Sequence, residues 1–167
     1  DNDTVVIDTT APTLSAVTIE SDFSTSTLAN SGNVVTLDIT ASENISQPTV
    51  TFTSGSANIA GDVTYTNSND NDATTWTASY TVAGGDTDGP VAFEINFADT
   101  ATNSGTAVTE VTDGGGSVTV DKTSPSGFQT DTVVSSGGTV VSTYYNSTNT
   151  GVSVTTPIAA DATLVGG

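Results

Sequence analysis

Apolar and polar positions alternate along most of this chain. In VVTLDITA (34–41), Val35, Leu37, Ile39 and Ala41 fall on one side, and Thr36, Asp38 and Thr40 on the other. The same period of two recurs in PTVTFT (Val50, Phe52), DVTYT (Val63, Tyr65), TWTASYTV (Trp76, Ala78, Tyr80, Val82) and PVAFEINFA (Val91, Phe93, Ile95, Phe97). An apolar residue at every second position marks a strand with one buried face, and each run is bounded by Gly, Asn, Asp or Pro. No window repeats with helical period. LSAVTIE (14–20) comes before these runs, and TAVTEV (106–111) and SVTVD (117–121) come after them. If the last two form one strand interrupted by a bulge or kink at Gly114-Gly115-Gly116, the set is about seven strands. Such a set at regular spacing predicts an antiparallel β-sandwich rather than a barrel or a βαβ fold.

A second pattern works on a longer scale. VVIDTTAP near the start returns as VTVDKTSP a domain's length later, an apolar strand running into Asp-x-Thr-x-Pro both times. Residues 9–121 then make one complete domain, which at this size buries around two-thirds of its unfolded surface. Residues 1–8 read as the last strand of a preceding repeat. Residues 122–167 read as the first part of a following one, because GVSVTTPIAADATLV is similar to the second strand of the complete unit. The expectation is a window on a tandem array. With no Met in the chain, residue 1 is expected to follow a cut or processing point.

Composition narrows the function classes. Of 167 residues, 19 are acidic and one, Lys122, is basic, for a net charge of −18. Binding to nucleic acid requires Lys or Arg to displace counterions from phosphate, so it is not expected. The same charge argues against an anionic membrane surface, and the sequence has no run of 18 apolar residues. Without Cys there is no disulfide framework and no thiolate metal site. Rigidity has to come from packing or from bound cations. Abundant Thr, Val, Gly, Ser and Asn suit strands and turns. A secreted, all-β chain is the expectation.

The succession IDTTAPTLSAVTIES, GNVVTLDITASENI, TWTASYTV, GPVAFEINFADTATNSG and GGSVTVDKTSP resembles the bacterial Ig-like domains of large repetitive surface proteins, including biofilm and RTX-type adhesins. The resemblance covers residues 5–125, and STYYNSTNTGVSVTTPIAADATL is similar to the first half of a related repeat. It implies an Ig-like sandwich on the bacterial cell surface, serving as a spacer or adhesion module.

Ig strand order gathers the entering linker and three loops at one pole, which brings Asp8, Glu43, Asn44, Asp70, Asp72, Asp99 and Asn103 together. The other pole receives Glu20, Asp22, Asp86, Asp88 and Asp121. In the adhesin repeats that this chain resembles, the linker aspartate is a calcium ligand that stiffens the joint between domains. The resemblance therefore implies calcium ligands at Asp8 and Asp121, with Glu43, Asp99 and Asn103 as partners. Calcium takes six to eight oxygens from carboxylates, amides and backbone, and these loops are rich in them. Simple solvation of the same acids, or capping of turns, is the competing reading.

Other motifs carry less. DTDG (86–89) opens like an EF-hand loop, but its twelfth position is Phe97 instead of Glu, which rejects that motif. NSNDND (67–72) reads equally well as a polar hairpin tip. Trp76 is in core register with Ala78 and Tyr80, so packing is favoured over a sugar platform. Of the adjacent Tyr144 and Tyr145, one faces each side of any strand they form. The outward threonines (Thr36, Thr40, Thr49, Thr51, Thr64, Thr66, Thr75, Thr77 and Thr81) form rows that suit a crystal-binding face, though Thr is the ordinary polar residue of strands. Without His, Cys, Arg or a GxSxG motif, catalysis is not expected.

Three functions remain in order of expectation. The first is a calcium-stiffened spacer of a surface adhesin or fibre, whose partners are neighbouring repeats. The second is a filament subunit completed by identical subunits through strand addition. The third is a module that binds surface polysaccharide.

Overall fold

The computed structural model describes residues 7–67, 73–112, 114–124, 132–140 and 144–155. The chain divides into two compact units, Asp1–Lys122 and Thr123–Gly167.

Nine strands build unit 1 among the described residues: β1 (Leu14–Ser21), β2 (Leu28–Ala29), β3 (Val34–Ala41), β4 (Thr49–Ser54), β5 (Ala57–Asn58), β6 (Thr64–Asn67), β7 (Thr75–Thr81), β8 (Gly89–Asn96) and β9 (Thr119–Val120). They form two sheets. One has the order β1-β3-β7-β6 and is antiparallel throughout. The other has the order β2-β9-β8-β4-β5, with β2 parallel to β9 and the remaining pairs antiparallel.

The alternation seen in the sequence decides which side of each sheet is buried. Val17, Ile19, Val35, Leu37, Ile39, Ala78 and Tyr80 from the first sheet share one core with Val50, Phe52, Phe93, Ile95, Val118 and Val120 from the second. Phe52 and Tyr80 meet with ring centroids 4.9 Å apart, within the range of favourable aromatic pairs. Apolar side chains closing on each other from two sheets make this a β-sandwich-like, all-β architecture. Trp76 is half-buried against the core, and its indole N–H donates to the carbonyl of Ala73 at 3.0 Å.

The expected last strand takes a different course. Residues 105–108 run beside β8, where Ile95 and Val108 exchange backbone hydrogen bonds. The chain then leaves that sheet and lies along the outer edge of β1. There the Thr112 N–H donates to the Val17 carbonyl, the Thr112 hydroxyl accepts the Val17 N–H, and the Ile19 N–H donates to the Gly115 carbonyl. It returns to β8 only at Val118–Val120. Gly114–Gly116 is therefore no simple bulge in one strand but part of a crossing between sheets. A Cβ at Gly115 would stand 2.5 Å from the Val17 carbonyl oxygen, and one at Gly116 would collide with the Ile19 carbonyl. Gly116 also has φ of +89°, a region that side chains disfavour.

Unit 2 has β10 (Thr132–Ser136) paired antiparallel with β11 (Gly151–Thr155). Val133 sits opposite Val154 and Ser135 opposite Val152, just as Ile19 sits opposite Leu37 and Ser21 opposite Val35 in unit 1. The turns ahead of β3 and β11 match too. The Asn30 N–H donates to Asn33 Oδ1 at 2.9 Å, and the Asn33 N–H returns to the Asn30 carbonyl at 3.0 Å. Asn146 and Asn149 repeat both bonds, at 2.8 and 3.0 Å. Val133, Val152 and Val154, on one face of this pair, are each more than half exposed.

Candidate metal centre

One end of unit 1 collects acid. β3 ends at Ala41, and its N–H donates to the Thr74 carbonyl. Two residues on, Glu43 is held from both sides. Before it, Ser42 exchanges hydrogen bonds with Thr13 of the entering linker; after it, buried Ile45 donates to the Ala73 carbonyl. Asp99 follows β8 and bridges to Ile45, which aligns it with the Glu43 loop. Asp8 arrives on the linker, with its Oδ1 accepting the Thr10 N–H at 2.9 Å as a local turn cap.

The three carboxylates converge. One oxygen from each of Asp8, Glu43 and Asp99 lies within 4.8 Å of the others. Asp8 is exposed, Glu43 half-buried and Asp99 buried, so the cluster grades from solvent into the protein. Asn103 braces it. Its backbone N–H donates to Asp99 Oδ1 at 2.8 Å, and its side-chain amide donates to Asp99 Oδ2 at 2.7 Å and to the Asp8 carbonyl at 3.2 Å. Thr102, just before it, has φ of 73°. For a β-branched residue that conformation is strained, and it persists only where surrounding bonds hold it.

The charges feel one another. Partial burial pushes the Glu43 carboxyl above its ordinary value, with further push from Asp8 and Asp99. Burial also pushes Asp99 up, but the Asn103 side-chain amide and the backbone N–H groups of Asn103, Ala101 and Thr102 outweigh it and hold the group below its usual range. The cluster thus keeps a buried carboxylate charged beside two others.

These donors fit a hard divalent cation. All are oxygens, and they come from three separate segments of the chain. Calcium would take Asp8, Glu43 and Asp99 as ligands and supply the positive charge that the cluster lacks. Asn103 faces the cluster with its donor group in this geometry, as a brace for two of the ligands.

The remaining sequence-predicted residues lie elsewhere or stand apart. Asn44 is exposed beside Glu43. Asp70 and Asp72 fall outside the described residues. Asp121 is not in the triad; it follows β9, and its N–H donates to the Ala29 carbonyl. Asp22 caps the turn before β3 by accepting from Asn33 Nδ2 and the Val34 N–H, both at 2.9 Å. Asp86 is buried, with its two oxygens accepting the Ala60 and Ala83 N–H groups at 2.7 and 2.8 Å. That role was hidden in the sequence, because DTDG looks like an ordinary exposed loop. The place of Lys122 was also missed, although its being the lone basic side chain was a signal.

Comparison with protein-family models, curated proteins and solved structures gives no match.

Proposed function

We propose that this chain is an extracellular structural module, an Ig-like repeat that acts as a calcium-stiffened spacer in a bacterial surface adhesin or fibre. The observation that carries this reading is the convergence of linker residue Asp8 with Glu43 and Asp99 from two loops of the folded unit. A cation held there would tie the entering linker to the body of the domain and limit bending at the joint. It would also offset part of a charge of −18 that otherwise repels neighbouring units. Two further features support an Ig-like repeat. The sheet orders β1-β3-β7-β6 and β2-β9-β8-β4-β5 agree with the two Ig sheets. The strand pairing and Asn turn of unit 1 also recur in unit 2.

The test is a thermal melt of the full chain in EDTA and then in rising CaCl2. Extracellular calcium modules bind at about 10⁻⁴–10⁻³ M. At about tenfold excess over Kd, one site contributes roughly 1.4 kcal/mol, or about 5 °C for a domain of this size. Glu43→Gln and Asp99→Asn should flatten the rise. A melt indifferent to calcium in the unaltered chain sinks the joint mechanism.

A second reading, a filament subunit completed by strand addition, is favoured by the exposed valine face of β10 and β11. It predicts a concentration-dependent ladder of assemblies in light scattering, where the spacer predicts a monomer.

A further inference from the structure

The end of unit 1 that holds Asp86 and Asp88 manages its acid in another way. The loop between β7 and β8 winds around the buried Asp86 carboxylate, which takes N–H groups from Ala83 on its own loop and from Ala60 beyond β5. The carbonyls of Gly84 and Asp86 are left to other donors, and both accept from the ammonium of Lys122. The Gly84 contact is 3.3 Å, and the Asp86 contact is shorter. Asp88 Oδ1 stands 3.4 Å from the same ammonium and also accepts the Lys122 backbone N–H at 3.2 Å. The lysine side chain is only 19 % exposed.

Two backbone carbonyls and a carboxylate meeting at one point are a donor set that suits a hard cation. We infer that Gly84, Asp86 and Asp88 form a cation site whose occupant is the chain's own Lys122 ammonium. This end of unit 1 is then closed without metal. In the other copy of the Asp-x-Thr-x-Pro motif the corresponding position is Thr9, so the lysine is a feature of this copy alone. The two ends of the unit consequently differ. On the function proposed above, the triad end responds to calcium, and the Lys122 end does not.

Lys122→Thr, which installs the residue of the other copy, should empty the cage and open it to metal. In amide-resolved NMR of the full chain, added CaCl2 should shift residues 84–88 in Lys122→Thr and leave them unmoved in the unaltered protein. Equilibrium dialysis should find one more calcium per chain in the variant. The inference is overturned if residues 84–88 of the unaltered protein shift with calcium, or if the folded variant binds no additional ion. Should Lys122→Thr not fold, Lys122→Met keeps the aliphatic stem, and the unaltered protein still supplies the first criterion. Both readouts are local to 84–88 or are differences from the unaltered chain, so they stand apart from whether the triad binds calcium.

Discussion

Asp99 and Asn103 are joined twice, with the Asn103 backbone N–H on Asp99 Oδ1 and its side-chain amide on Oδ2. The same amide reaches the Asp8 carbonyl, so one asparagine links the buried carboxylate to the linker. Asn103→Ala should raise the Asp99 pKa back toward the ordinary carboxyl range, because burial would then meet fewer opposing donors. Titration of the carboxyl carbons by NMR reads this directly. An unchanged Asp99 value would show that the backbone donors suffice.

Stability in acid follows from two opposite shifts. The contribution of Asp99, whose pKa is lowered, is present above 3.8 and lost as pH falls through its depressed folded value. Glu43 is shifted upward, so its contribution is full below 4.5 and lost as pH rises through its folded value. In metal-free buffer the melting temperature should therefore rise slightly as pH drops from neutral, then fall once Asp99 takes a proton. Glu43→Gln should remove the rise and keep the fall. A profile that declines steadily from neutral pH in the unaltered protein would contradict this.

Tyr80 presents an unusual cost. Its hydroxyl is buried with no hydrogen-bond partner among the described residues, and burial, with a smaller push from Asp86, raises its pKa to about 12. An unsatisfied buried polar group costs about 1–3 kcal/mol. Tyr80→Phe keeps the ring against Phe52 and should raise the melting temperature by a few degrees. The sign with pH also follows: stability from a raised pKa is intact below the unfolded value of 10 and lost as pH climbs through the folded one. The variant should lose less stability than the parent between pH 10 and 12, as thermal melts across that range would show.

Gly115 and Gly116 hold the crossing segment against β1. Alanine at either position meets a β1 carbonyl, and at Gly116 it also meets a positive φ. Each substitution should lower the melting temperature and speed hydrogen exchange at the Ile19 amide, which donates to Gly115. Gly114→Ala has open space around its Cβ but a φ of +75°. It should cost less and leave that exchange slow. Equal costs at Gly114 and Gly116, with Gly115→Ala tolerated, would indicate backbone strain alone.

Local alternation made the longer strands legible, with ends within a residue or two for VVTLDITA and TWTASYTV. The two-residue strands β2 and β5 are too short to show alternation; pairing with distant β9 defines β2, and a tight turn back onto β4 defines β5. The course of 109–112 and 114–117 was hidden because it depends on the distant edge of β1, and three glycines announce only that the backbone bends. At the triad, placing loops from strand order was enough to put Asp8, Glu43 and Asp99 at one end. The donor face of Asn103, the buried duty of Asp86 and the stranded hydroxyl of Tyr80 depend on side-chain geometry that no residue spacing encodes.

If a cation binds where linker and loops meet, a CaCl2 titration followed by amide-resolved NMR will locate it. Saturable shifts should concentrate at Asp8, Glu43, Asp99 and Asn103, with a midpoint in the range of about 10⁻⁴–10⁻³ M, and should be lost in Asp99→Asn. Small shifts scattered over many exposed acids, growing without saturation and unchanged by Asp99→Asn, would contradict binding there.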